Sequence, residues 1–451
     1  MSISNLMGSS RVALSAYQSA IATTSKNISN VGNPDYVRRR ADIGSLISPN
    51  SGSGFRESDS VERIESGFIQ RQLWYKNQFL GKYETDEMIL SQIETLFNEP
   101  SNSGLASMMT EFWNSWNDIA NDPESSTAKA IVKDKANLMT DTFNQLSSDL
   151  NTMGKEVGDD ISDTIAEVNK LLNEIKTINE TMSSNYSYDL ADSRDAAITK
   201  LSKLMNIEVS ENNDHVVSIT TGGNILVPLV NGDFINELEV RVPKYVEYQT
   251  MDVSFSEGGS LAAISGGSLG GLLDVQNDAI PDFLQDINNL AVAIAEEVNG
   301  VHRYGYNLDD ETGLKFFDPT TDSAAGFKVS DEINSDPTRI ATSTNPDEAG
   351  NGDIANSISE LQNGYFIGNS KFSDYYNTVV SGVGSRVQEA NFLRISQEMV
   401  VTSIQNHRDS ISGVSLDEEM SNLIKYEQAY QAASRMISVA DELIQAVLNL
   451  I

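Results

Sequence analysis

LDEEMSNLIKYEQAYQAASRMISVADELIQAVLNLI, residues 416–451, repeats apolar residues every seven positions: Leu416, Leu423, Tyr430, Ile437, Ile444 and Ile451. A second row follows three residues behind, at Tyr426, Ala433, Ala440 and Val447. A seven-residue repeat keeps one stripe of a helix against another helix. The start is marked by a Ser415-x-x-Glu418 capping box, with Gly413 just before it. Ala429, Met436, Leu443 and Leu450 form a further apolar row beside the first, and a wider stripe asks for more than one partner.

The first residues follow the same rule. Met7, Leu14, Ile21 and Ile28 lie seven apart, with Tyr17 and Val31 in the companion row. The stripe also holds small and polar members, Ser10, Ala13, Ala20 and Thr24. The two terminal stripes can pair with each other and then with copies of themselves, as in a subunit of a tubular polymer. The alternative is a coiled coil wholly internal to the monomer.

Between these ends the pattern is helix, β, helix. A first helix over 4–31 stops at Gly32-Asn33-Pro34, and a polar segment including 48–55 reads as a loop. Helices are expected over 61–97, over the aromatic-rich 105–119, and over a rod-like stretch at 126–182 with its stripe at Ile161, Val168, Ile175 and Met182. Residues 207–256 alternate Val, Ile and Thr with polar residues around Gly222-Gly223 and Asn231-Gly232, which predicts antiparallel strands. Helix returns over 272–298, 369–410 and 415–451, and 300–368 reads as a variable surface-exposed loop region with one hairpin. The expected fold is mostly α with a β insertion (α+β): terminal coiled-coil helices, an elongated helical-bundle domain and an antiparallel β domain. The expected domains are 1–60 with 411–451; 61–206 with 272–299 and 369–410; 207–271; and 300–368.

Composition narrows the function. Of 451 residues, 31 are Lys or Arg and 65 Asp or Glu, a net charge of -34. Such a surface repels nucleic-acid phosphates and anionic lipid, so neither nucleic acid nor membrane is an expected partner. The absence of cysteine excludes disulfides and thiolate chemistry, and three scattered histidines exclude a close histidine pair for metal. No cofactor and no metal are expected. The first residues lack a cationic start followed by an apolar core, so no standard secretory signal is read there.

Three patterns invite chemistry. Gly266-Gly267-Ser268-Leu269-Gly270 fits G-x-S-x-G, but a nucleophile elbow needs a parallel sheet and a base, and the upstream strands read as antiparallel. A serine hydrolase using Ser268 stands as the alternative of another class. Asp309, Asp310, Glu311 and Gly313 miss the EF-hand register and read as a solvated turn. Phe112, Trp113 and Trp116 read as core, and His302 as a packed or capping histidine.

Residues 26–38, KNISNVGNPDYVR, resemble the N-terminal signature of axial flagellar proteins, with Lys26, Asn33 and Asp35 as departures. Residues 428–435, QAYQAASR, resemble the tail shared by rod, hook and hook-associated proteins. Residues 412–419 (SGVSLDEE), 121–124, 189–195 (DLADSRD), 298–305 and Phe316-Phe317 are similar to the hook-associated protein 1 family of hook–filament junction proteins. The likeness covers most of the chain and fails mainly over 318–368.

The resemblance implies a structural protein and not an enzyme. It implies export through the flagellar type III apparatus without a cleaved signal, an extracellular location in the bacterial flagellum, and terminal helices forming an inner tube. The implied partners are further copies in a helical layer, hook protein, the second hook-associated junction protein and an export chaperone. Subunit packing falls to the two stripes, and chaperone binding to Leu423, Tyr430, Ile437, Leu443 and Ile444 on the last helix. A hook or rod protein is the sibling alternative, and a cytosolic coiled-coil adaptor the third class.

Overall fold

A computed structural model of the chain describes residues 3–41, 43, 61–97, 104–212, 214–222, 227–242 and 250–448. Its spine is α4 (Ser126–Ser184), a 59-residue helix about 90 Å long. The Ser125 hydroxyl starts it by accepting the Ala128 amide. Two seven-residue runs offset by one position bury Val132, Met139, Leu146 and Met153 and then Ile161, Val168, Ile175 and Met182, while the opposite face carries charge.

Most other elements of the body pack on α4 or on the helices that lie against it. α3 (Leu105–Asn121) lays Phe112 and Trp116 against it, and α5 (Tyr188–Leu204) packs on its far half. α2 (Gly67–Phe97) pairs with α10 (Phe372–Ser412). A nearly continuous helical run, α6 (Gly267–Asp274), a π turn (Val275–Ala279) and α7 (Ile280–His302), wedges between α2 and α4. One hydrophobic core runs unbroken from Trp74 through these helices to Ala390.

The β insertion has the expected antiparallel order. Strands β3 (Glu208–Glu211), β4 (Val217–Thr220), β5 (Val230–Asn231) and β6 (Phe234–Ile235) pair in sequence, and β7 (Leu238–Arg241) pairs with β8 (Asp252–Phe255) in the register Leu238↔Phe255. The expected Asn231-Gly232 turn joins β5 to β6, with Gly232 at φ +66. Gly223 and the 48–55 loop lie outside the described residues.

A recurrent device docks the non-helical segments on the helices. Asn169 and Asn179 of α4 each grip both backbone groups of one strand residue: Asn169 holds Leu238 (2.8 and 2.9 Å) and Asn179 holds Val217 (3.0 and 3.2 Å). Asn277 does the same to Met251, and Asn299 to Phe317. A side-chain amide offers one donor and one acceptor at the spacing of a backbone partner, so it satisfies a buried edge without another strand.

Two expectations are corrected. The helix expected over 61–97 begins only at Gly67. Val61–Arg63 is instead a short strand, β2, paired with β1 (Arg39–Ala41), because Arg63 is drawn into a buried ion cluster described below. Residues 300–368, read as a surface loop, bury Phe316, Phe317, Phe327, Val329, Ile333 and Ile340 in the main core. His302 anchors them: one ring nitrogen meets the Leu314 carbonyl (2.9 Å) and the other accepts the Ala341 amide (3.0 Å). Two short helices, α8 (Asp331–Ser335) and α9 (Asp353–Glu360), complete this region.

Candidate assembly interface

The terminal helices α1 (Ile3–Ser29) and α11 (Leu416–Leu448) pack on each other, outside the main core. On α11 the two rows read from the sequence face α1. Ala433 and Ala440 are buried, and Leu423, Tyr426, Tyr430, Ile437 and Ile444 are half-buried. Leu416, at the start, is exposed. The Val447 side chain, Leu450 and Ile451 lie outside the described residues.

On α1 the small and polar members of the expected stripe, Ser10, Ala20 and Thr24, are the buried ones, joined by Ala16 and Asn27, while its large apolar members are not. Leu14, Tyr17, Ile21 and Ile28 flank it half-buried, and Met7 and Val31 are exposed. Small side chains let two helices approach closely, and the bulkier apolar row is displaced to the shoulder of the pair. The large residues that made the sequence stripe conspicuous therefore only partly serve the intramolecular contact.

α11 has a similar surplus. Met420, Ile424, Met436, Val439, Leu443 and Leu448 are exposed. Met436, Val439 and Leu443 lie along one side at helical spacing, beside the seam. Exposed apolar rows of this kind mark contact surfaces.

The pair is fixed to the body by a buried polar joint that sequence reasoning did not assemble. Asn27 is at its centre. Its Nδ2 donates to the Arg39 carbonyl (2.7 Å) and to Glu419 Oε2 (3.0 Å), and its Oδ1 accepts the Tyr36 hydroxyl (2.8 Å) and the Arg39 amide (3.1 Å). Arg38 pairs with Glu419 (2.8 Å) and Glu418 (2.9 Å). Arg39 reaches Asp189 (2.6 Å) and Asp192 (2.9 Å) on α5, Arg63 reaches Asp192 (3.0 Å) and Asp195 (2.7 Å), and Lys26 meets Asp189 (2.6 Å). Each carboxylate has a guanidinium or ammonium partner, the condition under which buried charge is tolerated.

The electrostatics follow from that crowding. Burial pushes the Tyr36 hydroxyl up to about 12. Burial opposes ionisation of Asp189 too, but the hydrogen bonds from Lys26 and Arg39 outweigh it and hold this carboxyl below its ordinary value. At Asp192 burial wins, and its pKa is raised despite Arg63 and Arg39.

Three sequence segments that resemble flagellar motifs thus meet in one place: 26–38 around α1 and the turn after it, 189–195 on α5, and Glu418-Glu419 on α11. Comparison with known proteins gives the same reading. A family model for the flagellar hook-associated protein FlgK helical domain matches residues 90–317, and one for the flagellar basal body rod FlgEFG C-terminal region matches 405–450. The flagellar hook-associated protein 1 of Bacillus subtilis is 30% identical, the alignment covering 99% of this chain and 98% of that protein. The chain belongs to the flagellar hook-associated protein 1 family. Its Salmonella typhimurium relative is 24% identical over 99% of this chain and 100% of its own. The solved structure of the flagellar hook junction protein FlgK from Burkholderia pseudomallei matches the fold with a TM-score of 0.68 at 14% identity, over 76% of this chain and 100% of that one. The protein is accordingly a structural junction component of the bacterial flagellum, built into it with other flagellar proteins, and not an enzyme.

The remaining chemical candidates resolve structurally. Ser268 sits in the first turn of α6, where the glycines serve packing. Gly267 has φ +71, and a Cβ there would lie 2.1 Å from the Met205 nitrogen. No histidine is hydrogen-bonded to Ser268 among the described residues: His302 spends both ring nitrogens on backbone, and His407 is exposed on α10. The 309–313 turn is organised by Asn307, whose Oδ1 accepts the Asp309 and Glu311 amides (both 2.9 Å). No group of acidic or histidine residues suited to a metal ion occurs among the described residues. No described helix is long and apolar enough to cross a membrane.

Proposed function

We propose that the chain forms the layer joining hook to filament, by helical self-assembly in which neighbouring copies cover the apolar rows left open on the α1–α11 pair. The supporting observation is the exposure of Met436, Val439 and Leu443 beside a seam that α1 already occupies. Head-to-tail contacts of one surface with a different one continue a helical lattice, and α11 offers two distinct faces for that purpose. Hook protein below and the second hook-associated protein above complete the stack. Met7, Leu14, Tyr17, Ile21, Ile28 and Val31 on α1, with Leu416, Leu423, Tyr426, Tyr430, Ile437 and Ile444 on α11, line or flank the α1–α11 seam, and the neighbour packs on what they leave exposed, beside Met436, Val439 and Leu443.

Before assembly the chain is exported through the flagellar type III apparatus without a cleaved signal. Ahead of export, a chaperone holds Leu423, Tyr430, Ile437, Leu443 and Ile444. Four of these five face α1 in the folded chain, so chaperone and α1 compete for α11, and release of the chaperone permits the helix pair to close.

Immunolabelling of intact flagella tests the proposal. A single band at the distal end of the hook is expected. Label along the whole filament or hook, or in the cytoplasm of a cell with complete flagella, would refute it.

A further inference from the structure

We infer that α10 carries a second docking surface for another copy of this chain, on the face turned away from the core. This inference deepens the proposed self-assembly and rests on it.

The buried side of α10 is Tyr376, Val379, Val383, Ala390 and Val401. At 100° per residue, the direction opposite that side runs through Phe392. Phe392 is 70% exposed and Met399 63%, and Ile395 between them is exposed as well. The line continues toward the start of the helix through Ser381, Ser385 and Gln388, and toward its end through Ser403, Asn406 and Ser410. All of these are exposed and none is charged.

Solvent alone does not account for such a face on this protein. The chain has a net charge of -34, and α4 shows what its solvated faces look like: Asp159, Asp163, Glu167, Lys170 and Glu174 are all exposed there. A surface that excludes charge over about eight turns and places Phe, Ile and Met at its middle has the composition of an interface core, with charge moved to the rim at Glu389 and Glu398.

Charge selects the occupant. Two copies of so acidic a chain repel over most of their surface, and close approach costs least where neither partner must bury a carboxylate. A basic partner would be met by acidic residues, which this face lacks. The chain position agrees, since α10 leads through Gly413–Ser415 directly into α11, so the two open faces lie on consecutive helices.

The test places p-benzoylphenylalanine at position 392 in flagellated cells and irradiates isolated flagella. A cross-linked product of twice the chain's mass, containing this chain alone, is expected; the same probe at position 163 on α4 should give none. The double variant Ile395→Glu/Met399→Glu should keep the thermal midpoint of the purified chain while its incorporation into flagella falls at least tenfold. A cross-link to a different flagellar protein, or no cross-link with the chain present in flagella, overturns the inference and leaves the junction role standing. Absence of the chain from flagella overturns both.

Discussion

Asn27 and Glu419 lie 392 positions apart in the chain and share a 3.0 Å hydrogen bond in the buried joint at the base of the terminal helix pair. The bond ties the end of α1 to the first turn of α11, and through the Arg39 backbone it ties both to the body. The outward rows of the pair can meet a neighbour in a defined orientation only if this joint is rigid.

Asn27→Asp should break it from within. The substitution removes the donor that serves Arg39 and Glu419 and sets a second carboxylate against Glu419. A loss of about 2–4 kcal/mol is expected, confined to the terminal pair. Limited proteolysis should cut α1 and α11 quickly while α4 stays intact. An unchanged cleavage rate in the terminal helices would contradict the role given to Asn27.

Arg39→Ala should act from the other side of the joint. Arg39 is 6% exposed and neutralises Asp192, itself buried. Removing one partner of a buried pair costs about 3–5 kcal/mol, although Arg63 remains on Asp192 and should hold the loss near the lower figure. Urea unfolding read at the terminal helices measures it. Arg39→Lys should recover only part, since one ammonium cannot reproduce the fork that spans Asp189 and Asp192.

His302 predicts a pH dependence. Burial, opposed by the bond to the Leu314 carbonyl and helped by the nearby charge of Lys129, lowers its pKa to about 4. The folded state therefore keeps the ring neutral where the unfolded chain takes up a proton. Stability from this group is complete above its ordinary 6.5 and is lost as pH falls toward 4. Between pH 6.5 and 5 the native chain should lose roughly 1.5 kcal/mol more than His302→Asn, measured by urea midpoints. Equal losses would show that the ring is already solvated.

Gly267→Ala tests the reading of the glycine run as packing. The backbone sits at φ +71, and the new Cβ would lie 2.1 Å from the Met205 nitrogen and 2.2 Å from the Leu204 carbonyl carbon. A destabilisation of about 3 kcal/mol or more is expected in thermal unfolding. Ser268→Ala, one residue on, should be nearly silent.

Much of this was legible in the sequence, for a physical reason. A seven-residue apolar repeat has few meanings, so α4 and α11 could be read with their faces. The α1 seam was legible only in part: Ser10, Ala20 and Thr24 were read as members of the stripe, but Ala16 and Asn27 were not, since one is merely small and the other is buried by its hydrogen bonds, and an apolar count passes over both. Residues 300–368 misled by composition: abundant Asp, Asn and Ser concealed Phe316, Phe317 and Phe327, whose partners lie on α3 and α4. The joint was not legible as a site at all. Its members come from four segments, and an asparagine that grips a distant backbone looks the same in sequence as one in solvent. The only signal was the resemblance of the three motifs, which marked several of the residues, though not Arg39 or Arg63, without showing that they meet.

The claim that the open row of α11 is covered only by neighbouring molecules is tested most directly by oxidative footprinting of Met436, 46% exposed in the single chain, with Met139, fully buried, as the internal control. Met436 should be oxidised readily in the purified chain and become protected at least tenfold in isolated flagella, while Met139 stays protected in both. Equal oxidation of Met436 in the two states would contradict the account.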